Sequence, residues 1–374
     1  VKLKKNYLNK YVLLLHMDDD DIATYIGWKG YTIYKKNISV QEQQMLRKEL
    51  NVKPFVPKSS LMKPQPFPVY RESKNKIYVP IFYGMEVYGE PDEIRIDDGK
   101  KINVSFKGEL RPKQKPVVKK FMKHIKKKNS GLLALHTGFG KTCLALNIIS
   151  KIKLKTIIIV HKEFLLRQWV ERIEQFLPDA KVGKIQAKTI DTEGKDIVIC
   201  MLQSLSMKEY PKDMFREYGF SIYDEVHHLG AEVFSKAFYK VVTKYSLGLS
   251  ATINRKDGLT KVIKWFLGDV VCKLERKGED NVLVKVINYE TTDEDFNKIE
   301  TDWRGQIKYT TMVKKLCEFN NRSEFILKVL SDLLKGNPNQ QVMILAHQKK
   351  LLQYLHDAIR HRTIATVGYY VGGM

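Results

Sequence analysis

Five short, almost unbroken apolar runs constrain this chain more than any other feature: Leu132 to Leu135, Thr156 to Val160, Asp196 to Cys200, Phe220 to Tyr223 and Ser246 to Leu249. Each has the length of a strand and is too apolar for either face to meet water, which is how strands read when helices cover both sides of a parallel sheet. The intervening stretches have helical spacing, most clearly Lys141 to Ser150 and Lys162 to Phe176. Strands alternating with helices predict an α/β fold, because a parallel neighbour is reached only through a crossover. A second series is expected from Val282 to Tyr289, through a helix at Arg322 to Lys335, to a strand at Gln341 to Leu345.

Residues 1–107 read differently. They hold an acidic run at 18–21 and five prolines between Pro54 and Pro68. Proline at that density disfavours helix and central strand, so 53–70 is expected to be an extended connector. Lys76 to Tyr83 and Ile102 to Phe106 are predicted strands of an N-terminal accessory region.

The net charge is +23, which favours polyanionic partners such as nucleic acid over acidic metabolites. The longest apolar runs, such as Tyr11 to Leu15, fall far short of the ~20 residues of a membrane span. Cys143, Cys200, Cys272 and Cys317 lie too far apart for a C-x-x-C motif, and the adjacent His227 and His228 have no second ligand pair at zinc spacing. A soluble intracellular protein without zinc is expected, and the start at Val1 suggests a trimmed or incompletely numbered chain.

The chemistry is concentrated in Leu135-His-Thr-Gly-Phe-Gly-Lys-Thr142, which follows a predicted strand and opens a helix. Thr137, Gly138, Phe139 and Gly140 form a loop whose glycines let backbone amides face phosphates. Lys141 would hold the β and γ phosphates of ATP, and Thr142 would ligate Mg²⁺. Leu135 stands where the strict pattern has glycine. Further on, Asp224 and Glu225 end an apolar strand. There Asp224 would hold the metal, and Glu225 would orient and deprotonate the water attacking the γ phosphate. Ser250, Ala251 and Thr252 end another strand and are placed to report the γ-phosphate state to a neighbouring domain.

Thr-Gly-x-Gly-Lys-Thr, then Asp-Glu-Val-His, then Ser-Ala-Thr resembles the core of a superfamily 2 helicase or translocase. The resemblance implies a complete RecA-like domain at 108–275 and the beginning of a second at 276–374. It implies that Gln114, in Leu110-Arg-Pro-Lys-Gln114, reads the adenine, and that His227 couples hydrolysis to the partner domain. It also implies that Lys162, in a segment similar to the first nucleic-acid motif, and Gln203 and Ser204, in Met201-Leu-Gln-Ser204, touch the strand backbone. Ser250 to Leu259 and Trp265 to Gly268 resemble the branch of the XPB-type DNA translocases and large DNA virus helicases of the poxvirus transcript-release type. Asn320 to Arg322 and Gly368 to Met374 are more similar to the viral members. Ile253 departs from that branch, which has proline there.

The implied function is ATP-dependent movement along, or remodelling of, DNA, RNA or a DNA–RNA hybrid held through its phosphates, with a place in viral transcription beside the transcription machinery. Arginines of the second domain's late motifs complete such sites and can be worth ~10³ to 10⁵ in rate. None is found before Met374, so residues 1–374 alone are expected to bind ATP but hydrolyse it poorly. Two readings stay open beside this one: the motor of a nuclease or restriction-type translocase, and a non-catalytic nucleic-acid-binding protein that keeps the fold. Arg111 to Lys128 carries nine basic residues and no acid, and the spacing of Val117, Val118, Phe121, Met122 and Ile125 predicts an amphipathic helix with its charge outward. Trp169 and Trp265 are expected to be core anchors.

Overall fold

The structure, a computed structural model, describes residues 23–55, 64–228, 231–255, 257–276 and 283–371. The acidic run at 18–21, the middle of the proline-rich stretch, and 372–374 lie outside the described residues. The chain divides into two compact units at 278/279.

In the first unit the N-terminal elements are β1 (Thr24–Gly27), β2 (Gly30–Tyr34), α1 (Val40–Glu49), β3 (Asn51–Val52), β4 (Phe67–Pro68), β5 (Arg71–Glu72), β6 (Lys76–Val79), α2 (Ile81–Tyr88) and β7 (Glu93–Ile94). They are followed by α3 (Lys115–Lys128), β8 (Ser130–Leu135), α4 (Lys141–Ile152), β9 (Thr156–Val160), α5 (Glu163–Phe176), β10 (Val182–Gln186), β11 (Thr189–Asp191), β12 (Ile197–Met201) and α6 (Leu202–Met207). The unit closes with β13 (Phe220–Tyr223), α7 (Ala231–Phe238), β14 (Tyr245–Ser250), α8 (Thr260–Leu267) and β15 (Val270–Leu274).

Eight strands form one sheet in the order β11-β10-β12-β9-β13-β14-β8-β15, parallel throughout except for β11. All five predicted strands are present within a residue or two of their expected ends. Their side chains are buried because helices cover both faces: β8, β9 and β13 expose no residue. The strands β13 and β14 enter between β9 and β8, so the chain reverses its direction of winding there and leaves a crevice beyond the strand C-termini. The predicted basic helix is α3, which buries Val117, Val118, Phe121 and Ile125 and leaves its lysines outside.

The residues before 108 form a smaller sheet in the order β5-β6-β2-β1-β7. It packs into the same unit, with one apolar cluster running from Ile26, Tyr31 and Tyr78 to Phe238, Tyr239 and Phe266. The Tyr239 hydroxyl, wholly buried, donates to the carbonyl of Val69 at 2.9 Å. Two sequence expectations are corrected in this region. The strand expected over 76–83 stops at Val79, because Pro80 has no N–H for the ladder and instead caps α2, its carbonyl accepting from Gly84 N. The segment 102–106 is no strand: Ile102 and Val104 alternate inward against the core, but only the neighbouring Lys101 makes a bridge, to Leu154.

The second unit holds α9 (Glu294–Asn297), α10 (Tyr309–Glu318), α11 (Asn320–Gly336) and α12 (Lys349–His361), with a core of Leu327, Leu330, Leu351, Leu355 and Ile359. Helix α11 contains the predicted 322–335. The strands expected at 282–289 and 341–345 are absent among the described residues: Val284, Val286, Met343 and Leu345 are exposed, and no neighbour takes up their backbone groups. No helix of the described residues is long and apolar enough to cross a membrane. The four cysteines are unbridged.

Candidate active site

The loop between β8 and α4 is shaped by two glycines with positive φ, Gly138 at 79° and Gly140 at 87°. Such values suit a residue without Cβ. Space is a second constraint at Gly140, where a Cβ would lie 2.6 Å from both Arg111 Nη2 and Gln114 Nε2. Those side chains hold the loop. Gln114, buried, accepts from Arg111 N at 2.9 Å and donates through Nε2 to the carbonyl of Phe139 at 2.8 Å. The Arg111 guanidinium donates to the carbonyls of Gly138, at 3.2 Å, and Phe139. With the Phe139 and Gly140 carbonyls drawn to this side, planar trans peptides turn the N–H groups of Gly140 and Lys141 to the other. Phe139 anchors the turn in the core below it. Thr137 and Gly138 are exposed and Thr142 is half-buried.

The second motif arrives two strands away, at the C-terminus of β13. Asp224 is 5% exposed, and its Oδ2 accepts from the indole N–H of Trp169 at 2.9 Å. Burial pushes its carboxyl up to about 6, against the pull of that indole. Glu225 has a positive φ of 50°, uncommon for a residue with a side chain. This turn carries its carboxylate to Lys141, with Oε1 2.8 Å from Nζ. The other oxygen, Oε2, is buried without a hydrogen bond, although His227 Nδ1 lies 3.3 Å away.

The third motif ends β14, between the other two. His227 Nδ1 is 2.8 Å from Ser250 Oγ, whose hydroxyl donates to the carbonyl of Thr252. Ala251 is half-buried and Thr252 exposed. Ile253 is buried in the core, which explains an apolar residue at the position of the family's proline.

The adjacent strands β9 and β12 end at the expected nucleic-acid residues. Lys162, exposed, caps α5, and Gln203, exposed, donates to the carbonyl of His161 at 2.9 Å. Ser204 is placed differently. It is buried, and its hydroxyl accepts from Ala187 N at 2.9 Å, bracing the loop instead of facing outward.

Three residues acquire roles that sequence reasoning missed. Trp169 is the core anchor expected, 1% exposed, and is also the hydrogen-bond donor to Asp224. Arg111 clamps the phosphate loop. Arg255 donates to the carbonyl of His227 at 3.0 Å and pairs with Asp257. All three lie inside segments that carried the resemblance, where only the motif residues drew notice.

The Asp224 carboxylate and the Thr142 hydroxyl are hard oxygen donors of the type Mg²⁺ takes. A buried aspartate whose carboxyl is raised by desolvation fits a bound cation.

Residues 107–255 match the family described as type III restriction enzyme, res subunit. A protein of Acanthamoeba polyphaga mimivirus, named provisionally as an ATP-dependent RNA helicase, is 32% identical over 366 residues, covering 95% of this chain and 70% of its own length. A protein of Invertebrate iridescent virus 6, named provisionally as a helicase, is 28% identical over 280 residues, 73% of this chain and 60% of its own. Among solved structures, the UvsW helicase of bacteriophage T4 superposes over 67% of this chain and 98% of its own, with 14% identity and a TM-score of 0.47. The mimivirus relative, matched along nearly the whole chain, places the protein: it belongs to the superfamily 2 helicases.

Proposed function

We propose that this chain is the motor of a nucleic-acid translocase in which Lys141, Thr142, Asp224 and Glu225 form the ATP-hydrolysing centre and the loops at Lys162 and Gln203 hold the phosphates of the strand. The observation that carries the reading is the 2.8 Å pair between Lys141 and Glu225. It brings the one cation of the phosphate loop and the one acid suited to be a base to the same point from strands separated by β14.

Lys141 neutralises Glu225 in this state. An incoming γ phosphate competes for the ammonium, and Glu225, released, accepts the proton of the attacking water. Base and nucleotide are thereby coupled: the carboxylate is freed only when a phosphate occupies Lys141. Thr142 and Asp224 would hold Mg²⁺, which when bound supplies the charge that offsets the triphosphate. Gln114 stays on the loop carbonyls and fixes the loop edge where the base of the nucleotide would lie, while His227 and Ser250 to Thr252 relay the state of Glu225.

The nucleic acid is proposed to be RNA or DNA bound without base reading, RNA being the substrate class in the mimivirus relative's name. A restriction-type motor is the second reading, favoured by the description of the family matched at 107–255. Lys141→Ala in the full-length gene product tests the first. Nucleic-acid-stimulated phosphate release should fall by roughly 10² to 10³, with most of the nucleic-acid affinity kept; equal loss of both would refute the division of labour. DNA cleavage by the full-length gene product would favour the second reading.

A further inference from the structure

Helix α3 concentrates charge beyond what its fold needs. From Lys115 to Lys128 it has seven lysines and no acid. Lys115, Lys119 and Lys123 follow one another at i, i+4 on one side, where like charges oppose helix formation. Lys119, Lys123 and Lys126 are exposed and have no carboxylate within ion-pair distance among the described residues; only Lys115 has one, Glu109 at 2.8 Å.

These four lysines and Lys151 of α4 line one open groove of about 660 Å³ between the two helices. Asn147 lines it too, and its Oδ1 is buried without a hydrogen-bond donor. The groove, which Glu109 also lines, thus holds a net positive row in which Lys115 alone is paired, and the row is regular: lysines four residues apart stand about 6 Å apart along the axis. That spacing is comparable with neighbouring phosphates on one strand.

We propose that the α3–α4 groove is a second track for the phosphate backbone of a nucleic-acid strand, separate from the loops at Lys162 and Gln203. The proposal rests on the reading of the protein as a nucleic-acid motor. The track lies on the helix whose first turn follows Gln114, the residue that grips the phosphate loop.

Two double variants of the full chain, equal in charge change, test it: Lys119→Gln with Lys123→Gln in the groove, and Lys120→Gln with Lys127→Gln, exposed on the same helix but outside the groove. Binding of a labelled single-stranded RNA and of a DNA duplex is measured across salt concentrations. The groove pair should lower affinity roughly tenfold or more at low salt and reduce the slope of log K against log salt by about 1 to 2 for at least one probe. The control pair should change both much less. Equal effects of the two pairs, or no effect of either, would overturn the groove, and the second outcome would leave an acidic protein as the alternative occupant. Absence of wild-type binding to either probe would instead overturn the motor reading, and the groove with it.

Discussion

Replacing Trp169 by Phe isolates one bond of the candidate site. The indole N–H reaches Asp224 Oδ2 at 2.9 Å, and both residues are buried. A hydrogen bond to a charged group contributes about 1.5–3 kcal/mol, and a buried acceptor left without its donor bears the desolvation cost. Phe keeps a six-membered ring but leaves part of the indole volume empty, adding about 1 kcal/mol. Trp169→Phe should therefore destabilise the first unit by about 3 kcal/mol, of which about 2 depend on Asp224. A double-mutant cycle with Asp224→Ala separates the two parts, since the void at Trp169 remains when the carboxylate is gone. The assay is urea unfolding followed by far-ultraviolet circular dichroism, without nucleotide, well above pH 6 so that Asp224 is ionised. A coupling energy below about 0.5 kcal/mol, the usual scatter of additive pairs, would refute the assignment of Trp169 as the residue that holds Asp224.

Gly140→Ala should destabilise by about 1–3 kcal/mol and abolish binding of a fluorescent ATP analogue, because φ is 87° and the new Cβ meets Arg111 and Gln114. Gly138→Ala carries only the φ penalty, as no atom lies within 4 Å of its Cβ, and should be the milder of the two by thermal unfolding. Glu72 is held down from 4.5 to about 2 by Arg47 and Lys35. A depressed carboxyl stabilises the fold above its unfolded value and loses that contribution as pH falls from 4.5 towards 2. Its side chain is 35% exposed, so screening reduces the contribution to about 1 kcal/mol. Glu72→Gln should cost that much at neutral pH and nothing near pH 2, read from urea unfolding of both proteins across pH.

The parts of this molecule legible in its sequence are those whose surroundings are uniform. Thr156 to Val160 reads as a strand because it is covered on both faces, so every side chain carries the same signal. The phosphate loop reads because its residues are contiguous. The 341–345 run shows the converse: its apolar character is that of a buried strand, yet a strand also needs a neighbour for its ladder, which no local pattern specifies. At 76–83 the local signal was present in Pro80 and was outweighed by the β-branched and aromatic residues around it. Trp169 was legible as core and illegible as a ligand of Asp224, because an indole buries its ring and spends its N–H through a single group, and only the packing of α5 on the sheet decides where that group lands.

The same distinction bears on how the residues proposed to couple hydrolysis to the partner domain would act. His227 is gripped twice from one segment: its ring by Ser250 Oγ at 2.8 Å and its carbonyl by Arg255 at 3.0 Å. Arg255 is in turn fixed by the Asp257 carboxylate, and the Asp257 carbonyl accepts from Phe55 N at 2.9 Å, at the start of the proline-rich stretch. His227 is therefore tied to Ser250 directly and to Asp257 through Arg255. With Nδ1 2.8 Å from Ser250 Oγ and 3.3 Å from Glu225 Oε2, the imidazole lies within reach of both, so under the proposed mechanism it can retain Ser250 or turn towards the carboxylate that Lys141 would leave when phosphate arrives. A relay from nucleotide to Ser250, Ala251 and Thr252 thus needs one ring rotation and no rearrangement of the strands, because β13 and β14 are already paired from Phe220 and Tyr245 to Tyr223 and Gly248.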